Sequence, residues 1–97
     1  MSFTVRLRRG VRRQIARWHL PDPILMDVYL RLQDDLTGQP ANLLQRSAAP
    51  FDGMTYTFAA GDRSNRAYLY LFTFHVKYGA DEQTLWIIRG SYYRFPA

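Results

Sequence analysis

The spacing of apolar residues changes twice along this chain, and those changes constrain what it can fold into more than any other feature. Residues 2 to 8 alternate, with Phe3, Val5 and Leu7 to one side and Thr4, Arg6 and Arg8 to the other, the period of a half-buried strand. From residue 10 the period becomes helical: Val11, Ile15 and Trp18 share one stripe, and Arg12, Arg13, Gln14 and Arg17 fill the remaining arc. Beyond residue 53 the extended pattern returns and recurs as far as Arg89. Strand, helices, then a run of strands is the order of an α+β domain.

Pro21-Asp22-Pro23 ends the first helix and predicts the start of a second, since a carboxylate caps free amides and proline suits the first turn. Leu25, Val28, Leu32 and Leu36 then form the predicted buried stripe, with Asp27 and Arg31, and Arg31 and Asp35, spaced as exposed pairs. Gly38 followed by Pro40 reads as the stop. Residues 41 to 52 read as a connecting loop with room for one short turn.

Met54 to Phe58 predicts the second strand and Gly61 to Asn65 a turn. Arg66 to Lys77 is apolar on both faces for most of its length, as a central strand is. Tyr78 to Glu82 closes a hairpin, and Thr84 to Arg89 returns as the next strand. Gly90 reads as a break and Ser91 to Pro96 as an exit segment. The expected architecture is β-α-α-β-β-β, a helical hairpin packed on a mainly antiparallel four-stranded sheet, with residues 1–97 as one domain.

Composition narrows the function classes. The apolar share is 47% and the aromatic share 15%, enough for a packed core rather than a disordered chain. There is no cysteine, and His19 and His75 are far apart, so the expectation is a protein with no metal and no cofactor. No apolar run approaches the roughly 20 residues that cross a bilayer, and Arg6, Arg8 and Arg9 interrupt any signal-type stretch, so a cytoplasmic protein without a membrane role is expected. The formal charge is +5, and twelve of the thirteen basic residues are arginine. Arg6, Arg8, Arg9, Arg12, Arg13 and Arg17 occur with no acid among them, so this segment is the candidate surface for a polyanion, RNA above all, or for an acidic partner. A solvated helix face would read the same way.

Two late segments carry a resemblance. An arginine opens a strand of alternating aromatic and aliphatic residues, Arg66-Ala67-Tyr68-Leu69-Tyr70, and an apolar strand ends in a glycine-containing turn, Trp86-Ile87-Ile88-Arg89-Gly90. With the order of elements, these make the chain resemble the RelE/ParE superfamily of bacterial toxins over nearly its whole length. The resemblance implies a toxin held inactive by a cognate antitoxin, whose acidic or amphipathic segment wraps it as a helix and often a strand. It implies one of two targets: messenger RNA, cut on the ribosome by RelE-like members, or DNA gyrase, the target of ParE-like members. The branches share a fold, so fold does not choose between them.

Metal-free RNA cleavage needs a 2′-hydroxyl activated, a phosphorane stabilised and a leaving oxygen protonated. By the resemblance, Arg66 matches the arginine under the scissile phosphate, and Arg89, Tyr92, Tyr93 and Arg94 follow the turn where RelE-like nucleases keep further basic and aromatic groups. The family's basic residue after the glycine is replaced here by Ser91 and Tyr92, with Arg94 the nearest substitute. Little chain remains before Ala97 for the tyrosine-bearing terminal segment of several nucleases, so Tyr92 or Tyr93 is the expected stand-in, or else a core or antitoxin anchor. His75, late in the central strand, is either a hydrogen-bonded structural histidine or an acid/base group. Positions 66, 89 and 94 are expected at a common rim beneath the two helices. A basic interaction module of the same fold, without toxicity, is the third reading.

Overall fold

The computed structural model describes residues 3–38, 40–46, 53–61 and 68–96. The first strand, β1, spans Thr4–Leu7, and the helices α1 and α2 span Val11–Arg17 and Asp22–Gly38. A single 3-10 turn at Pro40–Asn42 leads into β2, Leu44–Arg46, followed by β3, Met54–Gly61, β4, Tyr68–Tyr78, and β5, Thr84–Pro96. All five strands form one sheet in the order β1-β5-β4-β3-β2, with β1 parallel to β5 and every other pair antiparallel.

Both helices pack on one face of that sheet. Val11 and Ile15 of α1, and Ile24, Val28, Leu32 and Leu36 of α2, are buried against Tyr56, Phe58, Phe72, Phe74, Leu85 and Ile87. The stripe on α2 begins at Ile24 rather than Leu25, which is half-buried. Its members recur every four residues, a row that lies nearly along the helix, and so face one sheet throughout. Helix α2 starts at Asp22, with the Leu25 amide donating to the Pro21 carbonyl at 2.9 Å, and Asp22 adds its charge to the first turn. The expected Asp27 and Arg31 pair forms at 3.9 Å on the exposed side. The Asp35 carboxylate instead accepts a hydrogen bond from the Tyr56 hydroxyl.

Two features differ from the sequence reading. The connecting segment carries a strand: β2 pairs antiparallel with β3 at the sheet edge, making five strands where four are predicted. Its three residues are too few for a period to register. The second difference is larger. Gly90 does not break β5, which continues through Ser91 to Pro96 and pairs with β4 from Leu85 to Pro96 on both sides of a bulge. A glycine inside a strand also marks a close approach of other atoms, and here a Cβ on Gly90 would lie 2.5 Å from Phe74 Cε1 and 3.0 Å from Trp18 Cη2. Its bare backbone lets Trp18, at the end of α1, settle onto the sheet. The predicted turn at Gly61 to Asn65 falls mostly outside the described residues, as do Arg66 and Ala67.

Candidate functional site

The parity of β5 decides which candidate residues can act together. Leu85 and Ile87 face the helices, across from Tyr78 and Val76 of β4. A bulge then shifts the register between His75 and Val76, so that Ile88 is the extra residue and Arg89 lies opposite His75. From there Gly90, Tyr92 and Arg94 pair with Phe74, Phe72 and Tyr70 on the helix side, while Arg89, Ser91 and Tyr93 pair with His75, Thr73 and Leu71 on the open side.

On the helix side the sheet runs on past the end of α1, and its aromatic residues stay grouped. The Trp18 ring centroid is 5.1 Å from that of Tyr92 and 6.0 Å from that of Phe72. The Tyr70 and Tyr92 rings are 6.2 Å apart, and the Arg94 guanidinium lies 4.4 Å from the Tyr68 ring centroid. Tyr92 and Arg94 thus share an aromatic rim on which the guanidinium is held by a cation–π contact.

On the open side His75 and Arg89 face one another across β4 and β5. Burial lowers the His75 pKa below its usual 6.5, and the positive charge of Arg89 lowers it further, so the imidazole is neutral at physiological pH. A neutral imidazole beside a guanidinium can accept a proton while the cation holds a phosphate oxygen. Tyr93 is on the same face but four positions along the strand, about 13 Å at the usual rise.

The predicted common rim therefore does not form as expected: Arg89 and Arg94 lie on opposite faces of β5, because an odd number of positions separates them in an unbroken strand. Arg66 lies outside the described residues.

The N-terminal arginines divide as well. Arg6 is on the open face beside Trp86, Arg8 and Arg9 are exposed between β1 and α1, and Arg13 and Arg17 are exposed on α1. The Arg12 guanidinium lies 5.6 Å from the Tyr29 ring centroid. A cavity of about 340 Å³ at the β1 edge is lined by Arg6, Arg12, Tyr29, Gln33 and Trp86 among others. Trp86 and Lys77, which no motif marks as site residues, join Arg6 on the open face. Trp86 sits between the buried Leu85 and Ile87, and that alternation was the signal that its ring points away from the core.

Among the described residues no group of three or more His, Cys, Asp or Glu side chains could hold a metal ion. Among the same residues no helix is long and apolar enough to cross a membrane.

A helical hairpin on one face of a five-stranded sheet, with the first strand parallel to the last, is the RelE-like α+β fold. Among solved structures the chain is similar to one in the toxin-antitoxin complex RelBE2 of Mycobacterium tuberculosis, at 24% identity and a TM-score of 0.64, over 96% of this chain and 100% of that one. No family model matches the sequence, and no curated protein matches it.

Proposed function

We propose that this chain is the toxin of a toxin-antitoxin pair, acting as RelE-like toxins do by cleaving messenger RNA on the ribosome. The observation that carries the reading is the likeness to a chain of RelBE2, a toxin-antitoxin complex, over 96% of the present chain. Two features of the site support it. The arginines of β1 and α1 suit the phosphates of ribosomal RNA, contacts that position a ligand without reading its sequence. His75 and Arg89 supply two of the three groups that strand cleavage needs: the imidazole takes the 2′-hydroxyl proton, the 2′-oxygen bonds to phosphorus, the guanidinium stabilises the phosphorane, and the P–O5′ bond breaks to leave a 2′,3′-cyclic phosphate and a 5′-hydroxyl whose proton comes from water. The partner in the resting state is an antitoxin with an acidic or amphipathic segment.

Controlled expression tests this directly. Growth should stop, translation should fall, and mapped transcripts should show codon-associated cuts; intact transcripts in arrested cells would reject nuclease action.

The placement of Arg89 and Arg94 on opposite faces favours a second reading, a ParE-like inhibitor that binds DNA gyrase without performing chemistry. Inhibition of gyrase supercoiling by purified protein, with transcripts left whole, distinguishes it.

A further inference from the structure

The face of the sheet that carries no helix has a composition unlike the rest of the molecule. Among the described residues every acidic side chain lies elsewhere. Asp22, Asp27, Asp34 and Asp35 are on α2, and Asp81 and Glu82 are in the turn between β4 and β5. The Asp81 carboxylate is engaged there by the amides of Gln83 and Thr84, each at 3.0 Å. None of the described strand positions on the open face is acidic, and three are cationic: Arg6, Lys77 and Arg89.

The cations are interleaved with rings. Arg6 of β1 is in register with Trp86 of β5, and Trp86 with Lys77 of β4, a row of cation, indole and cation running across three strands. The next row along holds Arg89 and His75. Further on, Tyr93 is 68% exposed and its ring centroid lies 6.2 Å from that of Phe95. Trp86, at 38%, is exposed as well. Between these rings the centre of the face is lined with hydroxyls: Ser91 pairs with Thr73 and Thr73 with Thr57, and the Oγ1 atoms of the two threonines are 3.3 Å apart.

That order selects among occupants. A docked helix needs an apolar stripe along the whole face, and here the apolar residues gather at one end, where Leu71 and Leu69 lie opposite Tyr93 and Phe95, while Arg89, Ser91 and Thr73 separate them from Trp86. A second copy of the same face would set Arg6, Lys77 and Arg89 against like charges. A single nucleic-acid strand matches each part in turn: bases stack on exposed rings, cations track the phosphates, and hydroxyls meet ribose and phosphate oxygens. Trp86 and Tyr93 are separated by about 20 Å of strand at the usual rise, enough for a short run of nucleotides with a ring toward each end.

We propose that this open face, running from Trp86 to Tyr93 along β5 and flanked by Arg6, Lys77 and Arg89, is a binding platform for single-stranded RNA. The proposal rests on the RNA-directed reading above for its biological role, and it assigns the polymer to the side of the sheet opposite the Tyr92 and Arg94 rim.

The test is fluorescence anisotropy of the purified chain with labelled ten-nucleotide oligouridylate and oligoadenylate at low salt, with a ten-base-pair RNA duplex as comparator. The single strands should bind with little preference between the two sequences and more tightly than the duplex. Tyr93→Ala and Trp86→Ala should each weaken binding about tenfold, in keeping with the worth of one stacked base. Tyr93→Ala is the more informative of the two, because its ring is the most exposed and its removal leaves the core intact. Arg31→Gln, on the exposed side of α2, should leave single-strand affinity within about twofold. A 4-thiouridine photo-crosslink should map to β5.

Absence of single-strand binding by folded protein would overturn the platform. So would unchanged affinity in Tyr93→Ala, or crosslinks mapping to α1. An antitoxin segment whose binding is abolished by Tyr93→Ala, with no RNA binding by the free chain, would instead make the face a protein-docking surface. Binding that maps to this face supports the platform whether or not expression arrests growth, so failure of the toxin reading is a separate result.

Discussion

The backbone amide of Gly90, midway along β5, donates a 2.9 Å hydrogen bond to Oε1 of Gln14 on α1. This bond ties the first helix to the last strand at the point where the strand would otherwise look broken. The same approach puts the rings of Trp18 and Phe74 where a Cβ on Gly90 would stand.

Gly90→Ala should therefore destabilise the fold by about 1–3 kcal/mol through overpacking. Gln14→Leu should cost about 1–3 kcal/mol by leaving that amide without its acceptor. Gly61→Ala serves as the control, since its added Cβ would find Leu69 Cδ1 at an ordinary 3.8 Å. Urea unfolding of the three variants checks the order; equal midpoints for Gly90→Ala and wild type would contradict the packing described.

Tyr56 sets an alkaline limit to stability. Its hydroxyl is held by the Asp35 carboxylate inside the core edge, and burial first, then that bond, raises its pKa well above the ordinary 10.0. The folded state keeps the proton more tightly than the unfolded chain, so the contribution is complete below about pH 10 and is lost as pH rises beyond it. Tyr56→Phe should cost about 1.5–3 kcal/mol at neutral pH, as for a hydrogen bond to a charged group, and should flatten the alkaline fall in a pH series of thermal melts.

His75 should titrate below its usual 6.5, because burial and then Arg89 both disfavour the imidazolium. Its depressed pKa means that the unfolded chain binds the proton more readily, so this contribution to stability is present above about pH 6.5 and is lost as pH falls through the folded value. An NMR titration of the imidazole in Arg89→Gln should show the midpoint moving up toward 6.5. If RNA is cleaved, the acid limb of the rate profile should move with it; a midpoint indifferent to Arg89 would separate the two side chains.

Asp81 organises the turn between β4 and β5. Its carboxylate accepts from the amides of Gln83 and Thr84, and from the Thr84 hydroxyl at 2.9 Å. The bond from the Gln83 amide, then those from Thr84, hold its pKa below 3.8, so the cap persists above the ordinary carboxylate range and is lost as pH falls through the lowered value. Asp81→Ala should lower the protection of the Gln83 and Thr84 amides, relative to their intrinsic exchange rates, at neutral pH, and acidification of the wild type through the lowered value should lower that protection in the same way.

Arg12→Gln with Arg13→Gln should weaken ribosome association and flatten its dependence on salt by about 0.7–0.9 logarithmic units for each phosphate that is no longer neutralised. Sedimentation with ribosomes across a salt series measures the slope. An unchanged slope would remove this part of α1 from the interface.

Local periodicity was enough to read the two helices, the buried stripe from Val28 to Leu36, and the extended character of β1, β3, β4 and the start of β5. Those assignments rest on the packing each segment makes through one face, which the spacing of apolar residues records directly. Gly90 is ambiguous in the sequence for a related reason. A glycine among β-formers looks the same whether it ends a strand or makes space for a ring that belongs to another element, here Trp18, 72 positions earlier. Were it an end, the alternation of faces would lapse beyond it and Arg89 and Arg94 could share one rim; in the unbroken strand they cannot.

The sequence by itself determined the segments, their amphipathic faces and the separation of acidic α2 from the arginine-rich start, because each depends on residues close together in the chain. Only the tertiary structure decided that β1 lies beside β5, so that Arg6 meets Trp86 and Lys77, and that a bulge at Ile88 puts Arg89 opposite His75. Strand neighbours and register are chosen by packing between distant segments, and a one-residue slip exchanges the two faces of a strand. The candidate chemistry of this protein depends on that choice of face.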